Sequence, residues 1–333
     1  MKSTLLRTLI FSVPLLLLSW YSYSENFRVR KVHFVSLEEN TSFEKTVTVG
    51  INDSICVQLP EKKEFIEGIE LKVQIPSSVS SWNDCVAFSL YDSVMPVPKE
   101  NLIDYSGTRI FLQPLPSKVY WIAKIPMYEK TSIKDSVYTT RINVIPNFEN
   151  GFAFVRFLPV MKGVPEETLN ANLAVTIKPC LKNLGALKLL LDKSSENIDT
   201  LLDILIDDKL VSSQFDKDEF YTKLEPGVHN VSVQSQSYRS ETRSIVIEQA
   251  KETDVQLKLK SLTPRLTISA PDNVEILFDN RKISEIGKEF EITEGEHTVQ
   301  FMLGSYTVIR SIVAEKGKSY SANLNVDLQI LEE

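Results

Sequence analysis

Apolar and polar residues alternate with a period of two along most of the chain from Phe27 onward. Because successive side chains of a β-strand point to opposite faces, this pattern predicts strands that are buried on one face. The runs lie at residues 27–35, 45–51, 68–75, 85–92, 109–115, 119–125, 139–145, 151–158 and 171–177. One helical turn is predicted at 165–169 (PEETL), where proline takes the first position. We therefore predict an all-β fold class, with an antiparallel, jelly-roll-like β-sandwich over residues 25–182.

The C-terminal half contains an internal repeat, which predicts two copies of one small β-domain at 183–261 and 262–333. Segments 203–212 and 243–248 of the first copy match segments 275–284 and 310–315 of the second. Three further pairs of matching residues are each separated by 68 positions: Gly227 and Gly295, His229 and His297, and Tyr238 and Tyr306. Chance matching would not keep these segments in the same order with such small changes in length.

The residues shared by the two copies predict structural roles. Asp207-Asp208 and Asp279-Asn280 follow an apolar run, and Asp and Asn tolerate the left-handed backbone of a tight hairpin. The glycine of each copy predicts a second turn with a positive φ. The tyrosine that follows in each copy is expected to place its ring at the rim of a small core.

This order of motifs resembles the PEGA domain family. The first copy matches through DDK at 207–209 and LEPGVHNVSV at 224–233, whereas the second has EGEH at 294–297 and GSY at 304–306 in place of PGxH and Gly-Tyr. The namesake motif of the family is visible in neither copy. The resemblance covers residues 184–330. It implies small β-sandwich-like modules of bacterial envelope and surface proteins, without enzymatic activity and with ligands that are generally undefined.

The N-terminus reads as a secretory signal peptide over residues 1–24. Lys2 and Arg7 form a positive region, residues 9–18 form a short apolar run, and Ser22 and Ser24 supply small residues before the cleavage point. An uncleaved anchor is the less favoured alternative, because the run is shorter than the roughly 20 residues that span a bilayer. We therefore expect export to the periplasm or cell surface, with no transmembrane segment after cleavage.

The charge of the chain bears on its partners. Its formal net charge is −7, and its positive charges do not gather into runs. Nucleic acid is therefore not an expected partner, because phosphate neutralisation requires a basic face.

The three histidines are His33, His229 and His297. The repeated pair could mark a metal or ligand site, but we favour rings that pack against the turn and hydrogen-bond to it, because the duplication carried both with their scaffold. No Cys or His stands at zinc-ligand spacing from them. We predict no metal and no cofactor.

Carboxylates offer two further alternatives. Asp203, Asp207 and Asp208 could attract Ca²⁺, although a solvated hairpin turn is favoured. Glu166 and Glu167 could belong to a hydrolase, which would need two carboxyl groups facing each other across a cleft. No nucleophile elbow, phosphate loop, dinucleotide fingerprint or HExxH motif supports catalysis.

Cysteines and tryptophans complete the candidates. Cys56 and Cys85 lie in strand-like segments and could be bridged in an oxidising compartment, but small buried thiols, Cys180 included, are slightly favoured. Trp82 lies in a polar loop and could stack on a sugar, whereas Trp121 is expected in the core.

These patterns together predict an exported, non-enzymatic cell-envelope protein that binds or scaffolds. Its expected partner is an envelope protein or a cell-wall or glycan component. Carbohydrate binding through the N-terminal sandwich is the alternative, and a hydrolase is less favoured.

Overall fold

A computed structural model describes residues 24–82, 84–193 and 201–326. The predicted signal peptide lies outside the described residues except for Ser24, where the first strand begins. The chain forms two compact units, Met1–Lys182 and Asn183–Glu333. The predicted all-β class is confirmed: the helices of the described residues are two four-residue α-helices and one 3₁₀ turn.

The first unit is built from two sheets. Its elements are β1 (Ser24–Arg28), β2 (Val32–Ser36), β3 (Lys45–Gly50), β4 (Ser54–Gln58), β5 (Ile66–Gln74), α1 (Ser77–Ser80), β6 (Val86–Met95), β7 (Asp104–Pro114), β8 (Tyr120–Pro126), β9 (Thr139–Arg141), a 3₁₀ turn (Phe148–Asn150), β10 (Phe152–Pro159), α2 (Glu166–Leu169) and β11 (Asn172–Leu181). One sheet has the order β1-β7-β6-β10-β4-β2, and the other has the order β3-β11-β5-β8-β9. The helical turn predicted at 165–169 is confirmed as α2.

A single hydrophobic core lies between these two sheets. Val57 and Phe88 reach it from the six-stranded sheet, and Leu71 and Trp121 reach it from the five-stranded sheet. The rings of Phe88 and Trp121 meet edge to face with their centroids 5.3 Å apart. The alternating residues therefore fill the space between the sheets, and the expected core position of Trp121 is confirmed by its 2% exposure.

The run at 27–35 is not one strand, as its pattern suggested, but two. It forms β1 and β2, which lie on opposite edges of the six-stranded sheet and are joined by residues 29–31. In a flat sheet those edges would be about 24 Å apart, whereas the link spans at most about 15 Å. The sheet must therefore curl, and a second apolar cluster that includes Phe27, Tyr91 and Phe154 lies within it.

The second unit contains two sets of seven strands with one topology. The first set is β12 (Gly185–Lys193), β13 (Leu202–Ile206), β14 (Lys209–Phe215), β15 (Glu219–Leu224), β16 (Gly227–Gln234), β17 (Glu241–Ile247) and β18 (Glu252–Leu259). The second is β19 (Arg265–Ser269), β20 (Glu275–Phe278), β21 (Arg281–Lys282), β22 (Glu289–Glu291), β23 (Gly295–Leu303), β24 (Tyr306–Ala314) and β25 (Ser319–Asn323). The sheets β15-β12-β18 and β14-β13-β16-β17 recur as β22-β19-β25 and β21-β20-β23-β24. Each strand thus has a counterpart seven strands later, in agreement with a duplication.

Each copy has its own core, and the matching tyrosines differ, contrary to the expectation of two rings at a core rim. Tyr238 lies in the loop between β16 and β17 and is 1% exposed, inside the first core. Tyr306 follows the tight turn at Gly304, pairs with Leu303 and is 78% exposed. The reason is the length of the hairpin: the longer loop of the first copy folds its ring inward, whereas the short turn of the second leaves no chain to do so.

Candidate functional site

Two tight turns position the acidic residues of the repeat. Asp207 and Asp208 join β13 to β14 with φ angles of 50° and 62°, and Asp279 and Asn280 join β20 to β21 with φ angles of 47° and 63°. Two consecutive positive φ angles are typical of a type I′ hairpin turn, in which Asp and Asn are favoured. The predicted turns are confirmed, and the first residue of each turn directs its carboxylate to the neighbouring strand.

In the first copy, that carboxylate binds a histidine. His229 Nδ1 lies 2.7 Å from Asp207 Oδ2, and His229 Nε2 lies 2.9 Å from the carbonyl oxygen of Glu225. The other carboxylate oxygen, Asp207 Oδ1, accepts a hydrogen bond from the backbone N–H of Asn230 at 2.9 Å. Gly227, with a φ of 152°, starts the strand that carries the histidine. We name this arrangement the first Asp–His clasp.

The second copy repeats the arrangement. His297 Nδ1 lies 2.6 Å from Asp279 Oδ2, and His297 Nε2 lies 2.7 Å from the carbonyl oxygen of Thr293. Asp279 Oδ1 accepts from the backbone N–H of Thr298 at 2.8 Å. Gly295 has a φ of 120°, so the predicted positive φ is found in both copies. This is the second Asp–His clasp.

The partners of each ring determine its charge. A carboxylate and a carbonyl oxygen are both acceptors, so each ring nitrogen must carry a proton for both hydrogen bonds to form. Accordingly, the pKa of His229 is raised. The hydrogen bond to Asp207 is the largest cause, and the bond to the Glu225 carbonyl is the next. The bond to Asp279 raises the pKa of His297. The clasp geometry therefore suits an imidazolium beside a carboxylate, and the raised pKa values extend the pH range over which both hydrogen bonds form.

The aspartate pKa values shift in the opposite direction. The pKa of Asp207 is lowered, mainly by the hydrogen bond from the backbone of Asn230 and next by the one from His229. The bond from His297, followed by the backbone bond from Thr298, lowers the pKa of Asp279. Hydrogen bonds and the neighbouring positive charge both favour the ionised carboxylate.

This chemistry favours a structural clasp over a metal site. A protonated ring has no lone pair to offer a metal, and the carboxylate oxygens are already engaged. Asp203, the third member of the predicted acidic cluster, accepts from the backbone N–H of Gln214 at 3.2 Å. Within residues 24–82, 84–193 and 201–326, no group of three or more His, Cys, Asp or Glu side chains is arranged to hold a metal.

The two clasps differ in their surroundings. In the second copy, the ring of Phe278 stacks on His297 with centroids 5.0 Å apart. A cavity of about 550 Å³ opens beside this pair, and Phe290 and Ile283 contribute to its lining. The cavity lies beside the loop that connects the short strands β21 and β22. The alternation of apolar and polar residues did not predict it.

His33 also contacts an aspartate, which spacing alone did not reveal. Its Nε2 lies 2.9 Å from Asp53 Oδ2, and the same oxygen accepts from the backbone N–H of Gly50 at 3.0 Å. All three histidines therefore hydrogen-bond to an aspartate within their own unit.

The three cysteines are buried free thiols. Cys56 belongs to the cluster inside the curled sheet, whereas Cys85 faces the main core, so the bridge considered between them does not form in this structure. Burial raises the pKa values of Cys56 and Cys180 to about 12 and also raises that of Cys85. Thiols that stay protonated are poor nucleophiles.

Trp82 is the most exposed tryptophan of the described residues, with 53% of its surface accessible. It lies just after α1, and the Ser117 hydroxyl ties that helix to the next loop by donating to the Ser80 carbonyl at 2.6 Å. The aromatic pair that follows, Tyr120 and Tyr138, is stacked at 4.8 Å. Trp82 is tied to this helix, because its backbone N–H donates to the Val79 carbonyl at 3.1 Å.

The faces of that tyrosine pair are already occupied. Lys72 Nζ lies 5.0 Å from the ring centroid of Tyr120, and Lys118 Nζ lies 5.0 Å from that of Tyr138. Each ring thus has a tyrosine on one side and a cation on the other. Of the tryptophans that the structure describes, Trp82 is the one that remains open to a sugar.

In the part of the chain that the structure describes, no helix has both the length and the apolar character that a membrane crossing requires. A scan against known protein families finds no match. A search of curated proteins likewise finds no relative.

Solved structures give weak matches. The TIE protein of Bacillus anthracis is 11% identical, with a TM-score of 0.28 over 86% of this chain, and the chain spans 58% of that protein. The pilus 2b backbone protein of group B streptococcus is 8% identical, with a TM-score of 0.23, over 71% of this chain and 97% of its own. The streptococcal ancillary pilin is 10% identical, with a TM-score of 0.22, over 85% of this chain and 99% of its own. Scores this low establish neither a shared fold family nor a function.

Proposed function

We propose that this chain is an exported, non-enzymatic protein of the cell envelope, in which two PEGA-like modules serve as a scaffold or docking support. The observation that carries the proposal is the repeated Asp–His clasp. Histidine is the residue of the repeat best suited to acid–base or metal chemistry. In His229 and in His297, both ring nitrogens are hydrogen-bonded within the fold. The duplication therefore kept a device that stabilises a hairpin.

The state of the other reactive side chains supports the same function. The three cysteines are buried, and the pKa values of all three are raised by burial. Glu166 and Glu167 are exposed on the four-residue helix α2. A scaffold requires no activated nucleophile or paired acid, whereas a hydrolase would require both to face a cleft.

Export can be tested directly. We expect the native chain, isolated from cells, to begin at Glu25, and an added protease to reach it from outside the cytoplasm. The variant Leu16→Arg places a charge in the apolar run and should retain the full-length chain in the cytoplasm. Intact mass and fractionation with a protease-accessibility assay measure both outcomes. A wild-type chain that stays cytoplasmic with its first 24 residues attached would overturn the proposal.

Carbohydrate binding by the first unit is the second candidate, and the exposure of Trp82 favours it. A flat indole on a fixed loop offers an apolar face for a sugar ring. The tyrosine pair offers only ring edges and hydroxyl groups, because its faces are covered. Trp82 should therefore account for most of the affinity for any glycan.

A glycan array tests this candidate. The wild type should bind at least one glycan, and Trp82→Ala should abolish that signal. Tyr306→Ala removes an even more exposed aromatic ring from the other unit and should leave the signal unchanged. If wild type and Trp82→Ala give the same pattern, sugar binding through this loop is wrong.

A further inference from the structure

The first copy has an open seam between its two sheets. Strand β17 is an edge of one sheet, and β18 is an edge of the other. The chain closes at one end through an isolated bridge between Tyr238 and Ser261 and a hydrogen bond from the Arg239 N–H to the Lys260 carbonyl. At the other end, the Thr253 hydroxyl donates to the Val246 carbonyl at 3.4 Å. Between these ends, the pairing partners of β17 and β18 are β16 and β12, so the seam stands open.

Positive side chains converge on this seam. A groove of about 440 Å³ lies there, lined by Arg239, Glu241, Arg243, Gln256, Lys258 and Lys260. Four of these side chains are cationic and one is anionic, although the chain as a whole carries a net charge of −7. The cations are far apart in sequence and meet only because the two edge strands lie side by side. We name this group the cationic seam.

Strand alternation explains the placement of the two lysines. On β18 and just beyond it, Lys258 and Lys260 are exposed while Leu257 and Leu259 point into the core. Arg243 is an exposed residue of the facing strand. Arg243 shares a face of β17 with the buried Ile245 and Ile247, but it lies near the start of the strand, where its side chain is exposed and lines the groove with the two lysines.

Arg243 spans the seam. Its Nη1 donates to the carbonyl oxygen of Gln256 at 2.9 Å, and its Nη2 lies 3.6 Å from Glu241 Oε1. The side chains of Arg239, Lys258 and Lys260 have no carboxylate within ion-pair distance among the described residues. Three cations are thus left without a counter-charge around one that is already fixed in place.

We propose that the cationic seam binds a phosphate group. A carboxylate would neutralise only one of the unpaired charges, whereas a phosphate presents several oxygens and up to two negative charges to guanidinium and ammonium donors. The proposal assigns a ligand class that the scaffold function does not include, and it does not depend on export. The groove is solvent-exposed, so its affinity must fall as salt is raised.

The second copy provides an internal comparison. Its β24 retains Arg310, which pairs with Val299 as Arg243 pairs with Val231. Its β25, Ser319–Asn323, contains no lysine or arginine. Arg310 is therefore a matched control, since it occupies the same register position in a copy whose counterpart of β18 supplies no cations.

Binding to the purified full chain tests the proposal by isothermal titration at low ionic strength, with inorganic phosphate and with a linear polyphosphate as probes. Lys258→Glu should weaken binding by about tenfold or more, because it replaces attraction with repulsion. Arg310→Glu should leave it unchanged. Glu241→Gln should tighten it, because it removes the only competing carboxylate of the groove. Unfolding midpoints of the variants establish that each is folded.

The two probes distinguish the source of the phosphate. Binding of both shows that the group itself is recognised, and binding of polyphosphate alone shows that the ligand is a polymer with repeated phosphates. The proposal fails if the wild type binds neither probe, or if Lys258→Glu binds as well as the wild type. Failure here would leave the export and scaffold tests untouched, because those tests measure location and N-terminal processing.

Discussion

The two copies of the repeat share one topology and one clasp but differ in what surrounds them. The first encloses Tyr238 in its core and carries the cationic seam. The second exposes Tyr306 and opens a cavity beside His297. What stayed constant is the pair of features that the backbone requires, a left-handed turn and the hydrogen bonds that fix it to the next strand. What diverged is packing and surface charge, which many residue combinations can satisfy.

The largest expected difference between the copies lies at the matching tyrosines. Tyr238→Ala removes a ring that is 1% exposed and leaves a cavity in the first core. Replacing a large buried aromatic residue by alanine costs about 3–5 kcal/mol. Tyr306→Ala removes a ring that is 78% exposed and should change the free energy of unfolding by less than about 0.5 kcal/mol.

Urea unfolding of both variants measures this contrast. The loss of stability caused by Tyr238→Ala should be localised to the first copy. Amide hydrogen exchange should show it as reduced protection in β16, β17 and the strands that unfold with them. Equal losses for the two variants would show that the tyrosines play the same role after all, and that the difference in exposure is not energetically important.

The clasps should make stability depend on pH, by a smaller amount. The pKa values of His229 and His297 are raised on folding, so their contribution is complete below the unfolded value of about 6.5 and is lost as pH rises through the folded value. The pKa values of Asp207 and Asp279 are lowered. Their contribution is complete above about 3.9 and is lost as pH falls through the folded value. The clasps should therefore stabilise most between about pH 4 and 6.5.

Histidine variants separate the two clasps. His297→Ala should cost about 1.5–3 kcal/mol at pH 6, the range for a hydrogen bond to a charged group. His229→Ala should cost less, because the side chain of His229 is 16% exposed and that of His297 is 8% exposed. Unfolding free energies measured from pH 5 to 9 should decline for the wild type and flatten for the double variant. A wild-type curve without a decline above pH 6.5 would contradict protonated rings.

The comparison also shows what the sequence could predict. Period-two alternation reveals strands whose two faces see different surroundings, as at β5 and β8, and an Asp-Asp or Asp-Asn pair after an apolar run specifies a turn through local sterics. The repeat predicted that His229 would hydrogen-bond to the turn before it, but its contact with Asp207 was not predicted, because Asp207 lies in a different turn and meets His229 only through the pairing of β13 with β16. The predicted features are local in the chain, or are repeated in it.

Other features depend on which strands become neighbours, and alternation is silent about that. The run at 27–35 keeps its alternating pattern although it divides between two edges of a curled sheet. Arg239 and Lys260 are 21 positions apart and meet only because β17 and β18 face each other, so counting charge runs along the chain could not find the cationic seam. Cys56 lies in β4 and Cys85 immediately precedes β6, and which of two apolar clusters each one joins depends on the curl.

Among the features that the copies share, the turn should give the smallest loss of stability. Asn280 has a φ of 63°, and a left-handed conformation costs an ordinary residue with a Cβ atom about 1–2 kcal/mol, from which Asn and Asp are partly relieved. Asn280→Ala should therefore lower the free energy of unfolding by about 1 kcal/mol. For Asn280→Gly, the change in the free energy of unfolding should be near zero. Glycine adopts the left-handed conformation without strain, but it also loses more conformational entropy on folding, and the two effects offset each other. The same pair of substitutions at Asp208, where φ is 62°, should give the same order in urea unfolding. If alanine were tolerated at this position in one copy and not in the other, the left-handed turn would not be the reason that both copies keep these residues. The His–Asp pair alone would then have to explain why the clasp is retained.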